Sequence, residues 1–124
     1  MSSPLTLGEV LNVSTREEYD EIFAVAEREG RLILVDCFAE WCPPCQAMKP
    51  IFAAMARRYN EVVFVTVDVE KFSPPNIQIW AMPTFVFFLG GSKVSTVVGA
   101  KESALHQGLQ NNGHVSVCSK CTIS

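Results

Sequence analysis

Apolar and polar residues alternate along this chain with two different periods, and the changes of period mark out its elements. Residues 9–13, EVLNV, form a short apolar run that predicts a strand. In the following STREEYDEIFAVAERE, Tyr19, Ile22, Phe23 and Ala26 recur at helical spacing. Ser14 is placed to cap this helix, with Glu17 three residues on as its capping-box partner, and Gly30 suits the C-terminal end. RLILVDCFA (31–39) is nearly continuous in apolar residues and predicts a strand buried on both faces. A second helical stripe runs through Ala47, Met48, Ile51, Phe52 and Met55 in CPPCQAMKPIFAAMARRY, with Pro50 expected to kink it.

The second half repeats the alternation. EVVFVTVDV (61–69) predicts another buried strand, and KFSPPNIQIWAMP (71–83) an irregular link with one helical turn. TFVFFL (84–89), Gly90-Gly91 and KVSTVVG (93–99) together predict a hairpin. KESALHQGLQNN (101–112) predicts a last amphipathic helix, weakened by Gly108. The order β-α-β-α-β-α-β-β-α implies an α/β domain, a parallel core with an antiparallel edge. Residues 1–112 are expected to form one domain and 113–124 a flexible C-terminal tail.

Composition narrows the function. Nearly half of the 124 residues are apolar, enough for a sizeable core. The net charge of −3, with no basic block, argues against nucleic acid as a partner. No apolar run approaches the length of a membrane span, and Met-Ser-Ser-Pro-Leu-Thr lacks a signal pattern, so a cytoplasmic location is expected. Five cysteines, Cys37, Cys42, Cys45, Cys118 and Cys121, do not suit a closed disulfide framework. Paired cysteines in a reducing compartment are more often catalytic or metal-binding.

Cys42-Pro43-Pro44-Cys45 is where the chemistry concentrates. The pair follows a buried strand and opens a helix, which places Cys42 at the helix N-terminus, where unpaired N–H groups stabilise a thiolate. Pro43 suits the first helical position, because its missing N–H would have had no partner there. Cys45 lies one turn inside. The asymmetry makes Cys42 an exposed nucleophile and Cys45 a buried resolving thiol. Four-ligand zinc binding with Cys118 and Cys121 is the weaker reading, since the Pro-Pro spacer and helix start favour dithiol geometry, and no metal is expected.

Asp36, Trp41-Cys42-Pro43-Pro44-Cys45, Pro50, MPTFVFF (82–88) and VVGA (97–100) occur in the order and spacing of the thioredoxin family, which the chain resembles over residues 8 to 112. The resemblance implies the thioredoxin fold, a mixed five-stranded central sheet flanked by helices on both faces. It implies a Cys42–Cys45 redox disulfide and no bound cofactor. It makes Asp36, expected to be desolvated with a raised pKa, the proton shuttle for Cys45. It makes the Met82–Pro83 bond cis and sets Pro83 against the sulfurs. Trp41, Met82, Pro83, Val98 and Gly99 become the substrate-binding set, with Met82 offering backbone hydrogen bonds, and Pro43 and Pro44 support the active site. The Pro-Pro spacer departs from the family's commonest Gly-Pro. That leaves the reduction potential and the electron donor open.

Other residues are weighed separately. Cys37 neighbours Asp36 but points to the opposite face, as a small buried hydrophobe. Phe64, Phe85, Phe87 and Phe88 are core, and His106 and His114 are given no role. Trp80 is balanced between site and simple packing. Cys121-Thr122-Ile123-Ser124 matches a C-a-a-X box with Cys118 placed for palmitoylation, an arrangement that resembles the tail of Ras-type GTPases and would attach the protein to the cytosolic face of a membrane. A second redox pair or an inert tail are the competing readings.

The leading expectation is a monomeric protein-disulfide reductase, recharged by a thioredoxin reductase or another dithiol donor and acting on disulfide-containing target proteins. The alternatives are a redox-gated protein-binding module and a specialised dithiol carrier fed by glutathione or another small dithiol.

Overall fold

The computed structural model describes residues 4–113. Nine elements follow one another. They are β1 (Val10–Val13), α1 (Arg16–Glu29), β2 (Ile33–Phe38), α2 (Pro43–Arg58), β3 (Val63–Asp68), β4 (Thr84–Leu89), β5 (Ser92–Val98), α3 (Glu102–Gly108) and a π-helical turn over Leu109–Gly113. The strands form one mixed sheet in the order β1-β3-β2-β4-β5. β1, β3 and β2 run parallel, whereas β4 lies antiparallel to β2 and to β5. The chain has the thioredoxin fold that its motifs imply.

Strand alternation sends the two halves of each inner strand to opposite layers. Ile33, Val35 and Cys37 of β2 join Val63, Val65 and Val67 under Tyr19, Ile22 and Ala26 of α1. Leu32 and Leu34 join Phe64, Phe85 and Phe87 under Met48, Phe52 and Met55 of α2 and Leu105 of α3. Helices therefore cover both faces. This explains why β2, β3 and β4 read as almost unbroken apolar runs, whereas edge strand β5 is polar and largely exposed.

Several expectations are corrected. The cap of α1 is Thr15, not Ser14. The Thr15 side chain accepts from the Glu18 N–H at 3.2 Å, and Glu18 accepts from the Ser14 N–H at 3.1 Å, so the box lies one residue further on. The link over 71–83 forms no helix beyond a single turn at its start. In that turn the Lys71 and Phe72 N–H groups donate to the Asp68 carbonyl, and further on Ile77 seats the link in the core. Ala47 is exposed, and Met48, Phe52, Met55 and Ala56 form the buried stripe of α2, which continues through Pro50. Gly108, the last residue of α3, is held to glycine by the Phe87 ring: an added Cβ would lie 2.6 Å from the Phe87 Cζ.

Candidate active site

Chain direction alone places the two sulfurs. β2 ends at Phe38, a short turn follows, and α2 begins at Pro43 with Cys42 as its N-cap. The Cys42 Sγ accepts a hydrogen bond from the Cys45 N–H at 3.3 Å, and the two cysteines are joined in a disulfide. Pro43 occupies the first helical position, where no donor is lost. Ala39, Phe38, Val69 and Met82 pack around the pair. Cys42 is not the exposed group the sequence suggested. It is 4% exposed against 1% for Cys45, because the sulfur is seated in this apolar cluster, and only the order of burial holds.

Asp36 lies in β2, on the α2-facing side with Leu34, opposite Thr66 of β3 and Phe85 of β4. It is buried, and its Oδ1 has no hydrogen-bond partner. Burial pushes its carboxyl up to about 7, partly offset by the Lys49 ammonium. A carboxyl poised there is half ionised near neutral pH and can pass a proton in either direction. Cys37 faces the α1 layer, where burial and then the Asp36 charge push its thiol up to about 12. It stays protonated and unreactive, as expected for a core cysteine.

The cis Met82–Pro83 bond is present as the resemblance implied, with Met82 packed against the two cysteines. Pro83 itself is buried and so is not part of an exposed patch. Its carbonyl accepts the Gly99 N–H at 2.8 Å. Gly99 has φ +99°, a conformation that disfavours any side chain, and this turn brings the end of β5 with Val98 to the site. Trp41 is largely exposed and donates from Nε1 to the Glu70 carboxylate at 2.7 Å.

Trp41, Cys42, Pro43, Pro44, Ile79, Trp80, Ala81 and Met82 line an open groove of about 430 Å³. Val98 and Gly99 reach the site through Pro83 and do not line this groove. Trp80 is not a packing residue: at 85% exposed it is wetter than Trp41. Glu70, Lys49 and Ile79 escaped sequence reading. Glu70 and Lys49 are charges with no local motif around them, and only the fold brings them to Trp41 and Asp36. Cys118, Cys121 and His114 lie outside the described residues.

Comparison with known proteins agrees with this geometry. The sequence model of the family described as Thioredoxin matches residues 10–111. Thioredoxin H5 of Arabidopsis thaliana is 37% identical over 108 residues, covering 86% of this chain and 92% of its own. Thioredoxin 1 of Plasmodium falciparum is 38% identical over 97 residues, covering 77% and 89%. Among solved structures, a thioredoxin h of Nicotiana alata superposes with a TM-score of 0.81 at 32% identity, covering 91% of this chain and 98% of that one.

Proposed function

Because this chain belongs to the thioredoxin family and is a thiol-disulfide oxidoreductase, we propose that it reduces disulfides of target proteins, with Cys42 as nucleophile and Cys45 as resolving thiol. The observation that carries this reading is a disulfide whose outer sulfur caps α2 at the floor of an uncharged groove. In the reduced protein, the helix N-terminus favours the Cys42 thiolate. That thiolate attacks one sulfur of the target disulfide. A Cys42–target mixed disulfide forms, and the other target sulfur leaves as a thiolate and takes up a proton. Cys45 then gives its proton towards Asp36 and attacks the Cys42 sulfur. The target's second sulfur leaves as a thiolate and takes up a proton, and the protein is left as the disulfide seen here. Two electrons have moved to the target, and a dithiol donor must restore them.

A thioredoxin reductase is the proposed donor. Glutathione fits less well as a bound donor, because it carries two carboxylates and none of the eight groove-lining residues is a cation. The protein is proposed to act as a monomer in the cytoplasm. Where Ser124 is the last residue, a lipid on Cys121, joined by one on Cys118, would hold it at the cytosolic face of a membrane. Mass spectrometry of the protein from its own cells reads that modification directly.

The test is insulin-disulfide reduction, with electrons supplied by a thioredoxin reductase or by glutathione. Turnover through the reductase that disappears in Cys42→Ser is expected. Binding of a partner without turnover would replace this reading by the redox-gated binding module, in which Cys45→Ser keeps its function.

A further inference from the structure

Trp80 is the most exposed large hydrophobic residue described, yet the segment that carries it is firmly held. On one side Ile77 is sunk into the core, and Asn76 accepts the Tyr19 hydroxyl at 2.6 Å. On the other side the Thr84 hydroxyl donates to the Ala81 carbonyl at 2.5 Å, and Met82 packs on the cysteines. The indole is thus presented to water by a fixed backbone. It shares one groove with Trp41, whose ring is anchored by Glu70, and with the attacking cysteine.

Whatever fills this groove must bring a sulfur to Cys42, so its occupant is a disulfide-bearing segment and not an arbitrary apolar partner. No lining residue is charged, and the carboxylate beside the groove, Glu70, is engaged by the Trp41 Nε1, so the lining itself offers a charged side chain no partner. Two indoles on one groove offer wide π-faces and apolar edges to a flat, greasy side chain. We propose that Trp80, with Trp41, selects target segments that carry an aromatic residue beside the disulfide cysteine. Trp80 is then a specificity-determining residue of the reductase, and the inference rests on the thiol-disulfide reading of the site.

Two disulfide-linked peptides test it, identical except for Phe or Ser next to the cysteine. Pre-reduced protein is mixed with each, and the second-order rate constant is read from released thiol. Wild type is expected to favour the Phe peptide about tenfold, which corresponds to about 1.4 kcal/mol. Trp80→Ala is expected to bring that ratio close to one, and Trp80→Phe to keep most of it. Because the side chain is exposed, the alanine variant loses no core packing. An undiminished ratio in Trp80→Ala would overturn the proposal, as would equal rates for both peptides in wild type. If wild type reduces neither peptide nor a small aromatic disulfide, the reductase reading fails first and this inference with it.

Discussion

Thr66 stands directly across the β2–β3 pair from Asp36, yet its hydroxyl donates to Asn12 at 2.6 Å and leaves the Asp36 Oδ1 without a partner. The hydroxyl at that register position is committed to the neighbouring strand on its other side. Burial is thus left to dominate, with the Lys49 charge as the counterweight.

Stability should therefore depend on pH through Asp36. Its pKa is raised from 3.8 to about 7 in the fold, so between those values the native state holds a proton that the unfolded chain has lost. The folded state is penalised progressively as pH rises through that window, and fully above it. Asp36→Asn is expected to stabilise the protein at pH 8 by up to roughly 4 kcal/mol and to leave it unchanged near pH 3. Urea unfolding of both proteins at the two pH values measures this, and an equal gain at both would refute it.

The same carboxyl should shape the rate. Below pH 7 Asp36 is protonated and cannot take the Cys45 proton, so resolution of the mixed disulfide slows. Release of the target's second thiol from a preformed Cys42 mixed disulfide is expected to rise through an inflection near 7 in wild type. In Asp36→Asn the inflection should vanish.

Glu70 fixes Trp41 by one charge-assisted hydrogen bond. Glu70→Ala frees the indole, and kcat/KM for a protein disulfide is expected to fall about threefold to tenfold, which corresponds to roughly 1 kcal/mol of positioning. Reduction of a small aromatic disulfide, which needs less of the groove, should fall less. Parallel assays with both substrates provide the check.

Gly108 should tolerate no methyl. Alanine would force its Cβ to within 2.6 Å of the Phe87 ring, which belongs to the buried α2-facing core. Gly108→Ala is expected to destabilise the fold by about 1–3 kcal/mol despite alanine's better helix propensity. A chemical denaturation midpoint equal to wild type would exclude the contact.

Sequence pattern revealed what repeats or is spaced, and missed what converges. The strands were plain because β2, β3 and β4 are covered on both faces and so must be apolar throughout. Cys42 and Cys45 were plain because their spacing is local, and Asp36 because a carboxylate in an apolar run is conspicuous. The cap at Thr15 was missed by one residue, since Ser14 and Thr15 have equivalent hydroxyls and only backbone geometry decides between them. By pattern Gly108 is only a weak helix former, because its contact with Phe87 crosses 21 positions of the chain and no local pattern reports it. Trp80 carries no local signal of its role for a related reason. Its neighbours Ile77 and Ile79 turn inward, and the ring's exposure follows from that turn and not from its own chemistry.

In the disulfide form the Cys45 amide donates a hydrogen bond to the Cys42 sulfur. When the disulfide opens, the acceptor changes from a neutral sulfur to a thiolate, and a hydrogen bond to a charged acceptor is shorter and stronger. The first turn of α2 is therefore wired to the electron count. A single backbone proton, that of Cys45, becomes a reporter that needs no label: its NMR frequency and its exchange rate with solvent should read the protein's redox state directly, in a tube or inside a cell.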